Sequence, residues 1–106
     1  MNITEKDWSL FKEKLPWWQE RHMERLNEEY IRLLSGDGLA SEKFWKLEQR
    51  INRDKRSSGV ITEKRRSNVY FCLMDLLNQR IITIDDLEGF SEGLIAAVTV
   101  ALARKR

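Results

Sequence analysis

Asp85, Asp86, Glu88 and Glu92 form the densest group of acids in the chain. Asp85, Glu88 and Glu92 fall at i, i+3 and i+7, a spacing that shares one face of a helix. Carboxylates gathered in this way can hold Mg²⁺ or move protons, so a small enzyme using the Asp85–Glu92 acids is one reading. The same acids also stand at first turns of predicted helices, where the backbone dipole favours negative charge by about 0.3–1 kcal/mol each. No calcium-loop spacing accompanies them. The structural role is preferred, and the chain is read as non-enzymatic.

The remaining candidates for chemistry are few. His22 is the only histidine, so no multi-histidine metal site can form. It falls between Trp18 and Leu26 on one helical stripe, which predicts a packed or boundary imidazole with no orienting partner. Cys72 sits among Val69, Leu73 and Leu76, where cysteine behaves as a small hydrophobe. A reactive thiol needs an exposed, electropositive setting. Gly36-Asp37-Gly38 is a turn and not a phosphate loop, because no strand precedes it and no Gly-Lys-Ser/Thr follows. No catalytic residue, metal ligand or cofactor site is assigned.

The basic residues carry the one surface signal. Between Arg50 and Arg66 there are seven Lys/Arg and two acids, a net charge of +5. Residues 1–49 carry a net charge of −2 and residues 67–106 a net charge of −1. Such asymmetry steers a chain toward phosphate or an acidic protein. Arg50, Arg53, Lys55 and Arg56 complement the C-terminal dipole of a predicted helix. Lys64, Arg65 and Arg66 are expected in the first turn of the next helix, where the dipole disfavours them. A local rule broken without evident gain points to function. A helix N-terminus already offers N–H groups to anions, and three bases there would make an anion dock.

A helix-turn-helix fits poorly. The link at 55–62 exceeds the usual turn of about 3–4 residues, and the helix that would read the bases turns apolar after Ser67-Asn68. Backbone-only contact to nucleic acid, dependent on salt, stays open. Four tryptophans are many for 106 residues. Helical spacing sends Trp8 and Trp18 inward. Trp17 and Trp45 lie off the stripe, covering the flanks of the core or, beside charges, serving as interface aromatics. The predicted partner-binding set is therefore Arg53, Lys55, Arg56, Lys64, Arg65, Arg66, Trp17 and Trp45.

The elements that must position these residues read as helices. The spacing of Trp8, Phe11 and Leu15 after the Thr4 cap predicts a short first helix, which Pro16 ends. Proline then suits the start of a second helix, about 16–34, closed by Ser35-Gly36-Asp37-Gly38 with left-handed residues. Ser41 caps a third, with Phe44, Leu47 and Ile51 as its inner stripe. Thr62 caps a fourth, about 63–79, apolar over most of its circumference and hence central. Thr83 and Asp86 open a short helix, and Ser91 caps the last, which turns Leu94, Ile95, Val98 and Leu102 inward. The expected fold is an all-α, compact helical bundle of four main helices plus two short helices, in a single domain over 1–106.

With 42% apolar and 34% charged residues, the composition belongs to a folded globular chain and excludes a disordered one. One cysteine excludes an internal disulfide. The charged stretch 2–14 lacks the apolar core of a signal peptide. The longest uncharged apolar run, residues 94–103, is half of the ~20 residues a membrane helix needs. A cytoplasmic protein without membrane contact is expected, with a homo-oligomer compatible.

Two stretches, "LPWWQERHMERLNEEYIRLLSGDGLASEKFWKLEQRI" and "IITIDDLEGFSEGL", carry a resemblance to small all-helical proteins of Gram-positive gut bacteria, often borne on mobile elements. That resemblance implies an accessory protein of a phage or conjugative element and assigns no site residue. The expected function is a non-enzymatic binding protein that docks an anionic partner, protein or nucleic acid, through residues 50–66. The alternatives are a nucleic-acid-binding accessory protein or an inhibitor of a bacterial immune nuclease, resembling an anti-CRISPR protein.

Overall fold

Thr4 and Asp7 open the first helix by capping each other. The Asp7 N–H donates to Thr4 Oγ1 at 3.0 Å, and the Thr4 N–H donates to Asp7 Oδ2 at 3.3 Å. The computed structural model describes residues 3–104. Helix α1 then runs without interruption from Glu5 to Ser35, with Pro16 inside it. The expected break at Pro16 is thus corrected: the two short stripes are one. Trp8, Phe11, Leu15, Trp18, His22 and Leu26 repeat at spacings of three or four, in phase across the proline. Proline inside a helix costs about 3 kcal/mol. Phe11 and Leu15 are fully buried and Trp18 nearly so, and each such side chain returns about 1.5–3 kcal/mol. The continuous face outweighs the missing hydrogen bond.

Helix α2 spans Ala40–Asp54, α3 Val69–Asn78 and α4 Glu92–Arg104, with 3₁₀ turns at Arg66–Asn68 and Ile84–Leu87. The all-α class and the count of four main helices stand; of the two short helices expected, the first is the start of α1 and the second is the 3₁₀ turn at Ile84–Leu87. Several local expectations shift. Gly36 is extended at φ −73°, and the positive φ falls on Gly38 at 132°. Leu39, not Ser41, precedes α2, and no side chain caps it. Residues 61–65 are not helical. Thr62 caps nothing: its hydroxyl donates to the Ser58 carbonyl at 2.7 Å. Thr83 and Asp86 do form a capping box, on the 3₁₀ turn.

The core gathers at one end. Phe11, Leu15 and Trp18 of α1 meet Val69, Leu73, Leu76 and Leu77 of α3 and Leu94 and Val98 of α4. Ile81, Ile82, Leu87 and Phe90 of the α3–α4 connection close it. Helix α3 buries half of its ten residues but leaves Phe71 exposed, so it is central on one side only. Its C-terminus is a Schellman turn: Ile81 N–H donates to Leu76 O at 2.9 Å and Arg80 N–H to Leu77 O at 3.1 Å. Arg80 takes the left-handed position, φ 59°, that glycine usually fills.

No α2 residue joins that core. The α2 side chain that is buried is Asp54. Phe44, Leu47 and Ile51, expected to face inward, lie along an uncovered side, with Phe44 63% exposed. Helix α2 instead turns a polar edge to α1. The second half of α1 and α2 therefore form an arm, and the molecule measures 52 × 29 × 20 Å. Its radius of gyration, 16.6 Å, exceeds the ~13 Å of a compact chain this long.

Candidate docking surface

The polar edge of the arm centres on Asp54. The Tyr30 hydroxyl donates to Asp54 Oδ2 at 2.5 Å. Arg53 Nε donates to Oδ1 at 3.1 Å, and its terminal nitrogen lies 3.0 Å from the same oxygen. Arg50 reaches Asp54 at 3.8 Å and Glu29 at 3.6 Å, with its guanidinium 5.7 Å from the Tyr30 ring centre. Burial alone would raise the Asp54 carboxyl, but the bonds from Tyr30 and Arg53 and the charge of Arg50 hold it below its ordinary value. Burial, together with the donated bond to that carboxylate, pushes the Tyr30 phenol up to about 12. Of the four bases at this end of the stretch, Arg50 and Arg53 are thus committed to a carboxylate inside the fold.

The other half divides in the same way. Arg66 pairs with Glu5 and donates to the Ile3 carbonyl at 3.0 Å, tying the 3₁₀ turn to the start of α1. Arg65 lies 2.6 Å from Glu63. Lys64 and Arg65 stand in extended backbone, and Arg66 opens a 3₁₀ turn of three residues. The expected anion dock on a helix N-terminus is therefore corrected: α3 starts at Val69, after the bases, and no dipole opposes them. Among the described residues, Lys55, Arg56 and Lys64 form no ion pair.

Trp17 and Trp45 are both exposed, at 73% and 60%, and neither covers the core. Trp45 touches Phe44 edge-on, with ring centres 5.0 Å apart. Trp17 precedes Tyr30, where α2 ends, by thirteen residues, or about 20 Å along the helix. The two tryptophans do not share one patch. Trp18 does turn inward and stacks on Phe90 at 6.3 Å.

The link between α2 and α3 is anchored at its base. The Gln19 side chain donates to the Ser58 carbonyl at 3.2 Å, and the Ser58 N–H donates to Gln79 Oε1 at 3.1 Å. His22 Nε2 lies 3.4 Å from Ser57 Oγ. Burial, then the nearby Arg25 charge, lowers the imidazole pKa. Beyond this base, Ile61 is 67% and Phe71 66% exposed, and both line a groove of about 420 Å³ with Glu63, Cys72 and Asp75. Cys72 is half-buried, and its thiol is raised by burial and by Asp75 and Glu63.

The acids near the C-terminus do not form a site of their own. Arg21 grips Asp86 with two nitrogens, at 3.1 and 2.9 Å, and the Thr83 N–H donates to it at 2.8 Å. Burial would raise this carboxyl, yet Arg21 and Thr83 hold it low. Asp85, Glu88 and Glu92 are exposed. Among the described residues no three His, Cys, Asp or Glu converge as a metal-ligand group.

Residue types alone did not reveal Asp54 as the organiser of the arm, nor Ile61 and Phe71 as exposed. The one available signal for Asp54 was its place among Arg50, Arg53, Lys55 and Arg56. No family model, curated protein or solved structure matches the chain. No helix among the described residues is long and apolar enough to cross a membrane.

Proposed function

We propose that the chain is a non-enzymatic docking protein whose partner is an acidic protein. The binding surface is the exposed link after α2, with Lys55, Arg56, Lys64 and Arg65 as its charges. The observation that carries this reading is the interruption of the basic stretch by carboxylates. Asp54 takes Arg50 and Arg53, Glu63 takes Arg65, and Glu5 takes Arg66. A duplex or single strand needs an unbroken basic track, because each phosphate contact releases counterions. A surface that alternates charge and places Ile61 and Phe71 in one groove, with Lys64 following Glu63 of its wall in sequence, matches protein interfaces, which combine apolar anchors with a charged rim. The resemblance to mobile-element proteins supports an accessory role of this kind, acting on a factor of a Gram-positive host.

The test is capture from a Gram-positive lysate with the full chain as bait, with and without nuclease treatment. Wild-type bait should retain a protein that nuclease does not release. Replacing Arg56, Lys64 and Arg65 together by Ala should weaken retention more than tenfold, about 1.4 kcal/mol. Rim charges act mainly through association rate, so the loss should shrink at high salt. Capture that nuclease abolishes would replace the protein partner by nucleic acid. Equal capture by the triple variant would leave these bases as solvated charges.

A further inference from the structure

The uncovered face of the arm has a shape and a charge pattern that fit a second copy of itself. On α2 the apolar stripe is Phe44, Leu47 and Ile51. Ile51 belongs to two grooves at once. One, of about 230 Å³, is lined by Phe44, Leu47, Glu48, Ile51 and Asn52. The other, of about 300 Å³, lies between α1 and the end of α2, with Met23, Leu26, Tyr30, Ile51 and Val60 among its walls. The grooves therefore share Ile51 as a common wall. Leu34 lies seven residues beyond Asn27, a wall of the second groove, and extends the same side of α1.

Two charges edge this face. Glu48 borders the first groove and Lys55 the second. Among the described residues neither forms an ion pair, and Glu48 accepts a hydrogen bond from the Asn52 side chain. They stand seven residues apart, two helical turns, Glu48 on α2 and Lys55 at its C-cap. An antiparallel copy placed face to face satisfies both in a single register: Glu48 meets the partner's Lys55, and Lys55 meets the partner's Glu48. In that register Phe44, four residues before Glu48, falls opposite a point four residues beyond the partner's Lys55. That point lies one turn past the end of the partner's α2, on the side of the 300 Å³ groove that Lys55 and Val60 help to wall. The bulkiest exposed side chain of the stripe thus meets the hollow, twice, about one twofold axis. Such reciprocity is the mark of an isologous interface.

Phe44 is 63% exposed, Leu34 46% and Ile51 42%. With large apolar side chains at roughly 150–250 Å² each, these three offer on the order of 300 Å² of apolar surface. Polar neighbours around them bring the face toward the ~800 Å² per partner of a standard interface. A two-helix layer with one bare apolar side is also half of a four-helix bundle.

We propose that the α1–α2 arm pairs two copies of the chain antiparallel, with Phe44 seated in the partner's Met23–Val60 groove and Glu48 against the partner's Lys55. Sedimentation of the full chain from about 1 to 100 µM should show a species of twice the 12.6 kDa chain mass. Phe44→Glu should give a monomer across that range with unchanged helicity, since Phe44 lies outside the core. Glu48→Lys and Lys55→Glu should each weaken pairing about tenfold or more, and the double exchange should restore it. A monomeric wild type, a Phe44→Glu dimer as tight as wild type, or a double exchange as weak as the singles would each overturn the proposal. Phe44→Glu and Glu48→Lys leave Lys55, Arg56, Lys64 and Arg65 untouched, so in these two variants loss of pairing is readable separately from loss of partner capture.

Discussion

Gly59 shows how one residue locks the link between α2 and α3 to α1. A Cβ built on it would stand 2.3 Å from His22 Cδ2 and 2.6 Å from Cγ. The imidazole therefore lies flat against bare backbone, beside Ser57. Gly59 carries no left-handed strain, so its requirement is space alone. Gly59→Ala should destabilise by about 1–3 kcal/mol, the usual cost of overpacking. His22→Ala on that background should recover part of the loss in a urea melt, because it vacates the contested volume. Equal losses in single and double variants would place the cost elsewhere. His22 was readable as a packed histidine from its position between Trp18 and Leu26. The glycine pressed against it was not, because the contact joins residues 37 apart in sequence. The charges show the same limit. Arg66 reads as a spare base until Glu5, 61 residues earlier, is found beside it.

At the scale of elements, three of the five expected caps were legible, while Ser41 and Thr62 cap nothing. Thr4 with Asp7, Thr83 with Asp86, and Ser91 all act at helix starts, because a cap is a local hydrogen bond between near neighbours. Pro16 and residues 61–68 were misread for the complementary reason. Propensity marks where a helix can stop, while burial of Phe11, Leu15 and Trp18 settles whether it does. Asp7 adds a link that no local rule shows. It accepts from the Ser91 N–H and hydroxyl, both at 2.7 Å, and so ties the start of α1 to the start of α4. Burial would raise its pKa, but the bonds from Ser91 and Thr4 outweigh this and lower it. A carboxyl with a lowered folded pKa stabilises above its unfolded value, and that contribution fades as pH falls through the folded value. Stability in urea should hold from neutral pH down to about pH 4 and then decline. Asp7→Asn should cost about 1–3 kcal/mol at pH 7. It should also make the decline shallower, with Asp54 and Asp86 supplying what remains. An unchanged acid limb in Asp7→Asn would mean that Asp7 is not the ionised link.

At the scale of the whole molecule, stability is concentrated where the apolar side chains are. Periodicity identified an apolar stripe on α2 as clearly as on α3, but it cannot say whether anything covers a stripe. Covering is a property of the assembled elements, and here α3 is covered while α2 is not. Helix α3 packs Val69, Leu73 and Leu76 out of solvent completely, and α2 holds to α1 chiefly through Asp54, Tyr30 and Arg50. The Arg50 Nε atom is itself buried without a partner, which weakens that edge. Opening the arm exposes Leu26 and parts of Met23 and Val60 but none of the main core, so its free energy must lie well below that of global unfolding. Native-state hydrogen exchange of the Phe44→Glu chain, in which pairing between copies is removed, should show this directly. Amides of α2 should exchange by local opening, insensitive to low urea, while those of α3 exchange only with global unfolding. The expected gap in protection is at least a hundredfold, about 2.7 kcal/mol. Equal protection in α2 and α3 would mean that the Asp54 cluster binds the arm as firmly as the core binds α3, and that the chain unfolds as one unit.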